Sequence, residues 1–380
     1  MNLLRQKIEQ EIRERGPIHF SRYMELCLYD PELGYYSRNA EHFGKAGDFY
    51  TSSDVHAVFG RLLARQFEEM WRALDSPESI DLVELGPGRG LFAQDVLGWA
   101  QIKFPDFFRA LRYVLVENSS ALRGRIKETL KSHLDSGRAV LTARYPLEEA
   151  GTEIPTIVFA NEFFDALPVE VLSTKGSLRI DARDGHFIES WSPSSSEELE
   201  FLDRYSVHPE PGERIEVPLA SQQFIDRIAD GIGRRFVVVV DYGYTRDEQL
   251  AGRHRGTLKA IRRHSVSANP YEAPGEQDIT ADVNFTALAA ALERHDMRTH
   301  RVITQSQFLM GIGEANQFGD AFEGCRVPQE RAKVALQLKH LLTPAGMGES
   351  FHVLIASKGV ELESMESLAG LSFGSKSIAR

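Results

Sequence analysis

The run Ile80-Asp-Leu-Val-Glu-Leu-Gly-Pro-Gly-Arg-Gly90 constrains the fold of this 380-residue chain more than any other segment. Ile80 and Leu82 fall on one face of a short strand and Val83 and Leu85 on the other, so the strand belongs inside a sheet covered on both sides. Gly86, Gly88 and Gly90 then let the backbone turn sharply and approach a ligand that a Cβ would push away. Leu91, Phe92, Val96 and Leu97 follow at helical spacing. A strand, a glycine turn and a helix in that order build a ligand site at the carboxyl edge of a parallel sheet.

The spacing of the glycines selects the ligand. Dinucleotide binding uses G-x-G-x-x-G, and Leu91 occupies the place of that third glycine. The observed pattern is G-x-G-x-G with Glu84 ahead of it. A pyrophosphate prefers a bare helix N-terminus, whereas the methionine end of S-adenosylmethionine carries an ammonium that an acid beside the turn engages. The expected cofactor site is therefore Glu84, Gly86, Pro87, Gly88 and Gly90. A dinucleotide and a purely structural turn are the alternatives. The second strand ends Val114-Leu-Val-Glu117, at the same sheet edge; Glu117 suits the two hydroxyls of a ribose, with Asn118 beside it.

Composition narrows the partners. Formal charge is 44 minus 55, or −11, which disfavours a nucleic acid, while a basic protein segment suits the surface. Cys27 and Cys325 stand far apart with no C-x-x-C, and no metal-ligand spacing is visible among the histidines, so neither a disulfide framework nor a metal is expected. No apolar run approaches the ~20 residues of a membrane span. The acid-bearing amphipathic N-terminus argues for a cytoplasmic protein, or a mitochondrial matrix one read without its presequence.

Further strands are expected at 113–117, 140–143, 156–160 and 236–241, alternating with helices, and a helix at about 330–342 precedes a last strand at 351–356. The fold class is α/β: a Rossmann-like, seven-stranded sheet of the class I methyltransferase type. A helical extension with a cofactor-covering loop spans 1–75, with Ser21 capping a helix over 22–28. The core spans 76–168 and 236–360, a β-rich insertion with an exposed loop at 192–198 spans 169–235, and a tail spans 361–380. The stretch 242–281 is expected outside the sheet, its cluster from Arg253 to His264 a solvated face.

The fourth strand runs into Asn161-Glu-Phe-Phe-Asp-Ala-Leu-Pro168, which crowds polar and aromatic side chains at the ligand edge. Asn161, Glu162 and Asp165 are the expected catalytic residues, and Asn161 is assigned to the cofactor as well. The Asn-to-aromatic spacing of Asn161 and Phe164 fits a nitrogen acceptor. Glu162 and Phe163 replace the two prolines usual in amino-directed enzymes, which points to a guanidinium. Such a group arrives charged and needs carboxylates to clamp it. Phe163, Phe164, Asp241, Tyr242, Gly275 and Asp278 are expected to line the acceptor, and Gly47, Asp48, Tyr50, Thr51 and Ser52 to fold over the cofactor.

These motifs, with Gly16-Pro17-Ile18, Gly34-Tyr35-Tyr36, Asp278-Ile-Thr-Ala-Asp-Val283 and Gly346-Met347-Gly348-Glu349, resemble the MidA-like family that includes the mitochondrial complex I assembly factor. The resemblance covers nearly the whole chain. It implies a class I fold, turnover of S-adenosyl-L-methionine to S-adenosyl-L-homocysteine, and, for the mitochondrial member, symmetric dimethylation of an arginine in a complex I subunit. Two departures are Ser53-Asp54, where the family continues Pro-Glu, and Tyr145-Pro146, where an acid near the adenine is usual. The leading expectation is a protein-arginine N-methyltransferase acting on an accessible arginine. A small-molecule O-, N- or C-methyltransferase and a non-catalytic assembly factor are the alternatives, and a homodimer stays open.

Overall fold

Six consecutive buried residues, Ile80–Leu85, form the centre of the main sheet. The structure, a computed structural model, describes residues 2–38, 57–145, 154–230, 233–262, 265–267, 269–314 and 316–373. In chain order the strands are β1 (Ile18–His19), β2 (Ile80–Leu85), β3 (Leu111–Val116), β4 (Ala139–Thr142) and β5 (Thr156–Asn161). There follow β6 (Glu170–Ser173), β7 (Gly176–Arg183), β8 (His186–Ser192), β9 (Ile215–Val217) and β10 (Arg235–Tyr244). The last are β11 (Lys259–Arg262), β12 (Ser265–Ser267), β13 (Asp278–Thr280), β14 (Val283–Asn284), β15 (Arg298–Thr299), β16 (Ile303–Thr304) and β17 (Phe351–Lys358).

The main sheet is ordered β15-β17-β10-β5-β2-β3-β4, with the short β14 and β16 attached to β10 and β17. Strands β4, β3, β2, β5 and β10 are parallel, and β17 returns antiparallel to β10. The expected seven-stranded sheet is therefore present, with two extra two-residue strands attached. The chain leaves β2 toward β3 and β4 and returns on the other side at β5, so the direction of winding switches between β2 and β5. A crevice opens at that point beyond the carboxyl ends of the strands.

Both faces of the sheet are covered, as the apolar strands require. On one face the helices Ala57–Ala73 and Leu91–Lys103 bring Phe59, Phe67 and Phe92 onto Phe159, and the Phe92 and Phe159 rings stack at 4.7 Å. The other face packs Ile225, Ile228, Phe285 and Leu288 from the helices Leu219–Ala229 and Phe285–Glu293 on Val83, Val158 and Val239.

The N-terminal helix Leu3–Arg15 docks on the insertion: Leu4, Ile8 and Ile12 share one core with Leu178, Ile180 and Ile279, and β1 pairs antiparallel with β7. This packing carries Tyr29 and Tyr36 toward the edge of the main sheet.

Several local expectations are corrected. The polar run 192–198 is a loop only in part: Pro193, Ser195, Ser196 and Glu197 are exposed, but Ser195 and Glu198 form a reciprocal capping box that starts the helix Ser196–Tyr205, and Glu198 is buried. The insertion carries this helix and Leu219–Ala229 as well as strands. The stretch after Asp241 is not free of sheet, because β10 continues to Tyr244 and β11, β12 and β13 make a separate antiparallel sheet. Ser21 caps nothing; the helix begins at Phe20, and Ser21 Oγ donates to Glu170 Oε1 at 2.5 Å. Most of the basic cluster is ion-paired: Arg253 with Glu248, Arg255 with Glu213, Lys259 and His254 with Asp282, and Arg262 with Glu276.

Among the described residues no helix is long and apolar enough to cross a membrane. One cluster of metal-type ligands occurs among them, His19, Glu170 and Glu198. Its His19 Nδ1 lies 3.0 Å from Glu170 Oε1 and 2.8 Å from Arg179 Nη1, a cationic neighbour that opposes a metal ion.

Candidate functional site

A cavity of about 950 Å³ fills the crevice above β2 and β5. Glu84, Gly86, Pro87, Gly88, Glu117 and Asn118 line one part of it, and Asn161, Glu162, Phe163, Asp165 and Asp278 line another. Two separately predicted groups thus meet in one chamber.

The glycine turn is held by Gly86 N–H donating to the Val116 carbonyl at 3.1 Å and Gly90 N–H to the Pro87 carbonyl at 2.8 Å. Gly86, Gly88 and Gly90 all have positive φ, from 54° to 77°. Gly88 faces open space, and a Cβ there would meet nothing within 4 Å. A Cβ on Gly86 would lie 2.9 Å from the Phe163 ring, so the glycine turn and the turn at 161–165 touch directly. Gly90 does not line the cavity; it packs near Leu130 and Ile126 and opens the helix at Leu91.

The two acids of this end are buried and, among the described residues, form no ion pair. Glu84 Oε2 accepts from the Tyr113 hydroxyl at 2.8 Å, yet burial pushes the carboxyl up to about 8. Glu117 Oε1 accepts from Ser119 N–H at 2.8 Å, and burial pushes it up to about 7. Both are carboxylates stripped of water with room for a donor-rich ligand in front of them.

At the other end Asn161 Nδ2 donates to Glu162 Oε1 at 3.2 Å. Glu162 has a φ of +48°, a left-handed conformation that a side chain other than glycine's rarely adopts. Tyr242 donates its hydroxyl to Asp165 Oδ2, while among the described residues Asp165 Oδ1 meets no hydrogen-bond criterion; burial raises this carboxyl against the tyrosine bond. Tyr36 donates to Asp278 Oδ1 at 2.9 Å, and Tyr29 donates to the Ala166 carbonyl at 2.9 Å.

Other expected acceptor residues stand elsewhere. Phe164 is buried in the core against Phe224, and Asp241 lies behind the turn, buried and outside the cavity wall. Tyr242 is not among the residues lining the cavity and reaches it through its bond to Asp165. Gly275 is a close-packing residue, where a Cβ would lie 2.3 Å from the Leu33 carbonyl oxygen. Gly47, Asp48, Tyr50, Thr51 and Ser52 lie outside the described residues. Tyr29 and Tyr36 line the cavity with rings 5.5 Å apart, and were not anticipated. Gly34-Tyr35-Tyr36 reads as a loop, and only the docking of the N-terminal helices brings it to the site. Arg144, Tyr145 and Arg227 also line the wall.

With this geometry in place, the comparisons with known proteins converge. The model of the family described as "Putative S-adenosyl-L-methionine-dependent methyltransferase" matches residues 62–303. The protein arginine methyltransferase NDUFAF7 homolog, mitochondrial, of Drosophila melanogaster is 28% identical over 94% of this chain and 85% of its own. The protein arginine methyltransferase NDUFAF7, mitochondrial, of Homo sapiens is 26% identical over 90% of this chain and 80% of its own. A crystal structure from Burkholderia thailandensis, bound to S-adenosyl-homocysteine, is 27% identical and superposes with a TM-score of 0.81, covering 97% of this chain and 94% of that one.

Proposed function

Because the chain belongs to this family of S-adenosyl-L-methionine-dependent methyltransferases, we propose that it methylates the guanidinium of an arginine in a protein substrate. The observation that carries this reading is the acid-rich acceptor wall: Glu162, Asp165 and Asp278 line one cavity beside Tyr29 and Tyr36. A guanidinium is planar, permanently charged and carries five N–H donors, which carboxylates match with paired hydrogen bonds.

The donor end fits the cofactor. Glu117 presents a buried carboxylate suited to two ribose hydroxyls, Glu84 suits the ammonium, and Gly88 leaves the space that a side chain would fill. When bound, S-adenosyl-L-methionine supplies a methyl group on a sulfonium for in-line displacement. The protein's share is positioning and charge. Glu162 and Asp278 clamp the guanidinium, and Phe163 bridges the acceptor turn to the donor turn. Transfer to a protonated guanidinium leaves one proton to remove. Asp165 takes it, since it lines the cavity and burial raises its proton affinity. Holding both reactants in line contributes on the order of 7 kcal/mol without covalent catalysis.

The names of the relatives support a protein arginine as acceptor, and the MidA-like resemblance extends the proposal to a respiratory complex I subunit. Incubation with labelled S-adenosyl-L-methionine and arginine-containing proteins, followed by mass spectrometry, is expected to show methylarginine. Methyl appearing only on a small molecule overturns the proposal. A cavity of about 950 Å³ holds a small cationic acceptor as well as the cofactor, which makes such a molecule the second reading.

A further inference from the structure

The acceptor turn holds a non-glycine residue at positive φ, and such a conformation persists only where its surroundings impose it. The entry is fixed by Glu162 N–H donating to the Val240 carbonyl at 3.0 Å, and the exit by Ala281 N–H donating to the Asp165 carbonyl at 3.0 Å. Between them, three consecutive N–H groups converge on one atom. Asp241 Oδ2 accepts from Phe163 at 3.1 Å, Phe164 at 3.0 Å and Asp165 at 3.4 Å, while Asp241 Oδ1 accepts from Tyr242 N–H at 3.0 Å.

We propose that Asp241 is the positioning residue of the acceptor turn, shaping its backbone into the form that sets Glu162 and Asp165 in the cavity. The register of the sheet explains the arrangement. Pairing of β10 with β5 ends at Val240 opposite Asn161, so Asp241 stands one residue beyond the end of β5, where the chain turns away. On its other side Asp241 is paired with His352 of β17, which anchors its backbone. A side-chain oxygen at that point receives the N–H groups that the turn exposes, in the manner of a backbone nest, although burial beside Asp165 and Glu162 favours the neutral carboxyl. It is fully buried and does not line the cavity, so it acts on the site from behind the turn. The catalytic consequence rests on the acceptor reading above; the hold on the backbone does not.

The test compares Asp241→Ala and Asp241→Asn in the full chain. Hydrogen exchange at the amides of 163–165 is expected to accelerate by about 100-fold in Asp241→Ala, the loss of roughly three hydrogen bonds, with exchange in the helix Leu91–Lys103 unchanged. Turnover of an arginine peptide is expected to fall by about 100-fold in kcat, with the cofactor Kd by calorimetry within about threefold. Asp241→Asn keeps an oxygen for the three N–H groups and is expected to recover most of both losses. Unaltered exchange at 163–165 in Asp241→Ala overturns the proposal, as does an Asn variant no better than the Ala variant. So does acceleration spread evenly over the chain. A wild-type protein that methylates no arginine peptide removes the acceptor reading, and the exchange comparison still decides the role of Asp241.

Discussion

The hydroxyl of Tyr36 donates to Asp278 Oδ1 at 2.9 Å while the carbonyl of the same residue accepts from Ser119 Oγ at 2.7 Å. Ser119 is the residue whose N–H binds Glu117, so one tyrosine ties the acceptor wall to the end of β3. Tyr36→Phe removes the first bond and keeps the second. The expected outcome is an acceptor KM raised by about tenfold with cofactor affinity unchanged, read by steady-state kinetics and calorimetry. An equal loss of cofactor affinity contradicts the separation.

Glu162 combines an unfavourable backbone with a side chain aimed at the proposed guanidinium. Glu162→Gly places the residue type that φ +48° favours, so thermal stability is expected to hold or rise by up to about 1 kcal/mol while activity falls at least about 100-fold. Calorimetric unfolding and turnover measured on one preparation check both halves. A clear drop in melting temperature refutes the idea that stability is given up here for chemistry.

Glu117→Ala removes the carboxylate proposed for the ribose and is expected to weaken cofactor binding by about 10- to 100-fold. Glu117→Gln, which keeps one acceptor oxygen, is expected to fall in between. Titration calorimetry with S-adenosyl-L-homocysteine gives the ranking, and wild-type affinity in the Ala variant sinks the assignment.

The pH dependence follows from burial of Glu84 and Glu117, pushed up from 4.5 to about 8 and about 7. An acid whose folded pKa exceeds its unfolded one makes the folded state hold more protons. Their contribution to stability therefore falls as pH rises from about 4.5 to about 8. The melting temperature of the empty protein is expected to decline across that window. Binding of the cationic cofactor favours the ionised carboxylates, so protons are released on binding near pH 7. Calorimetry in two buffers of different ionisation heat reads this release, and net proton uptake would falsify the assignment.

What the sequence reveals and what it hides divide by range of interaction. The strand, turn and helix from Ile80 to Leu97 are legible because each signal is local: apolar strand, glycine spacing, helical periodicity. The acid at Glu117 is legible for the same reason. Asp241 is read as an acceptor-wall residue because its position at a strand end looks functional; its bonds to residues 163–165 exist only through the pairing of β10 with β5. Tyr36 and Asp278 meet across 242 residues of chain, so no window contains both. The Ser195 and Glu198 capping box is a local signal, masked by Pro193 and the surrounding serines.

The contact between Gly86 and Phe163 limits how this enzyme can change. A side chain at residue 86 would crowd the Phe163 ring and force it to move, so on the proposed reading a change there disturbs the cofactor end and the acceptor end together. Acceptor preference therefore has little freedom to drift through residue 163.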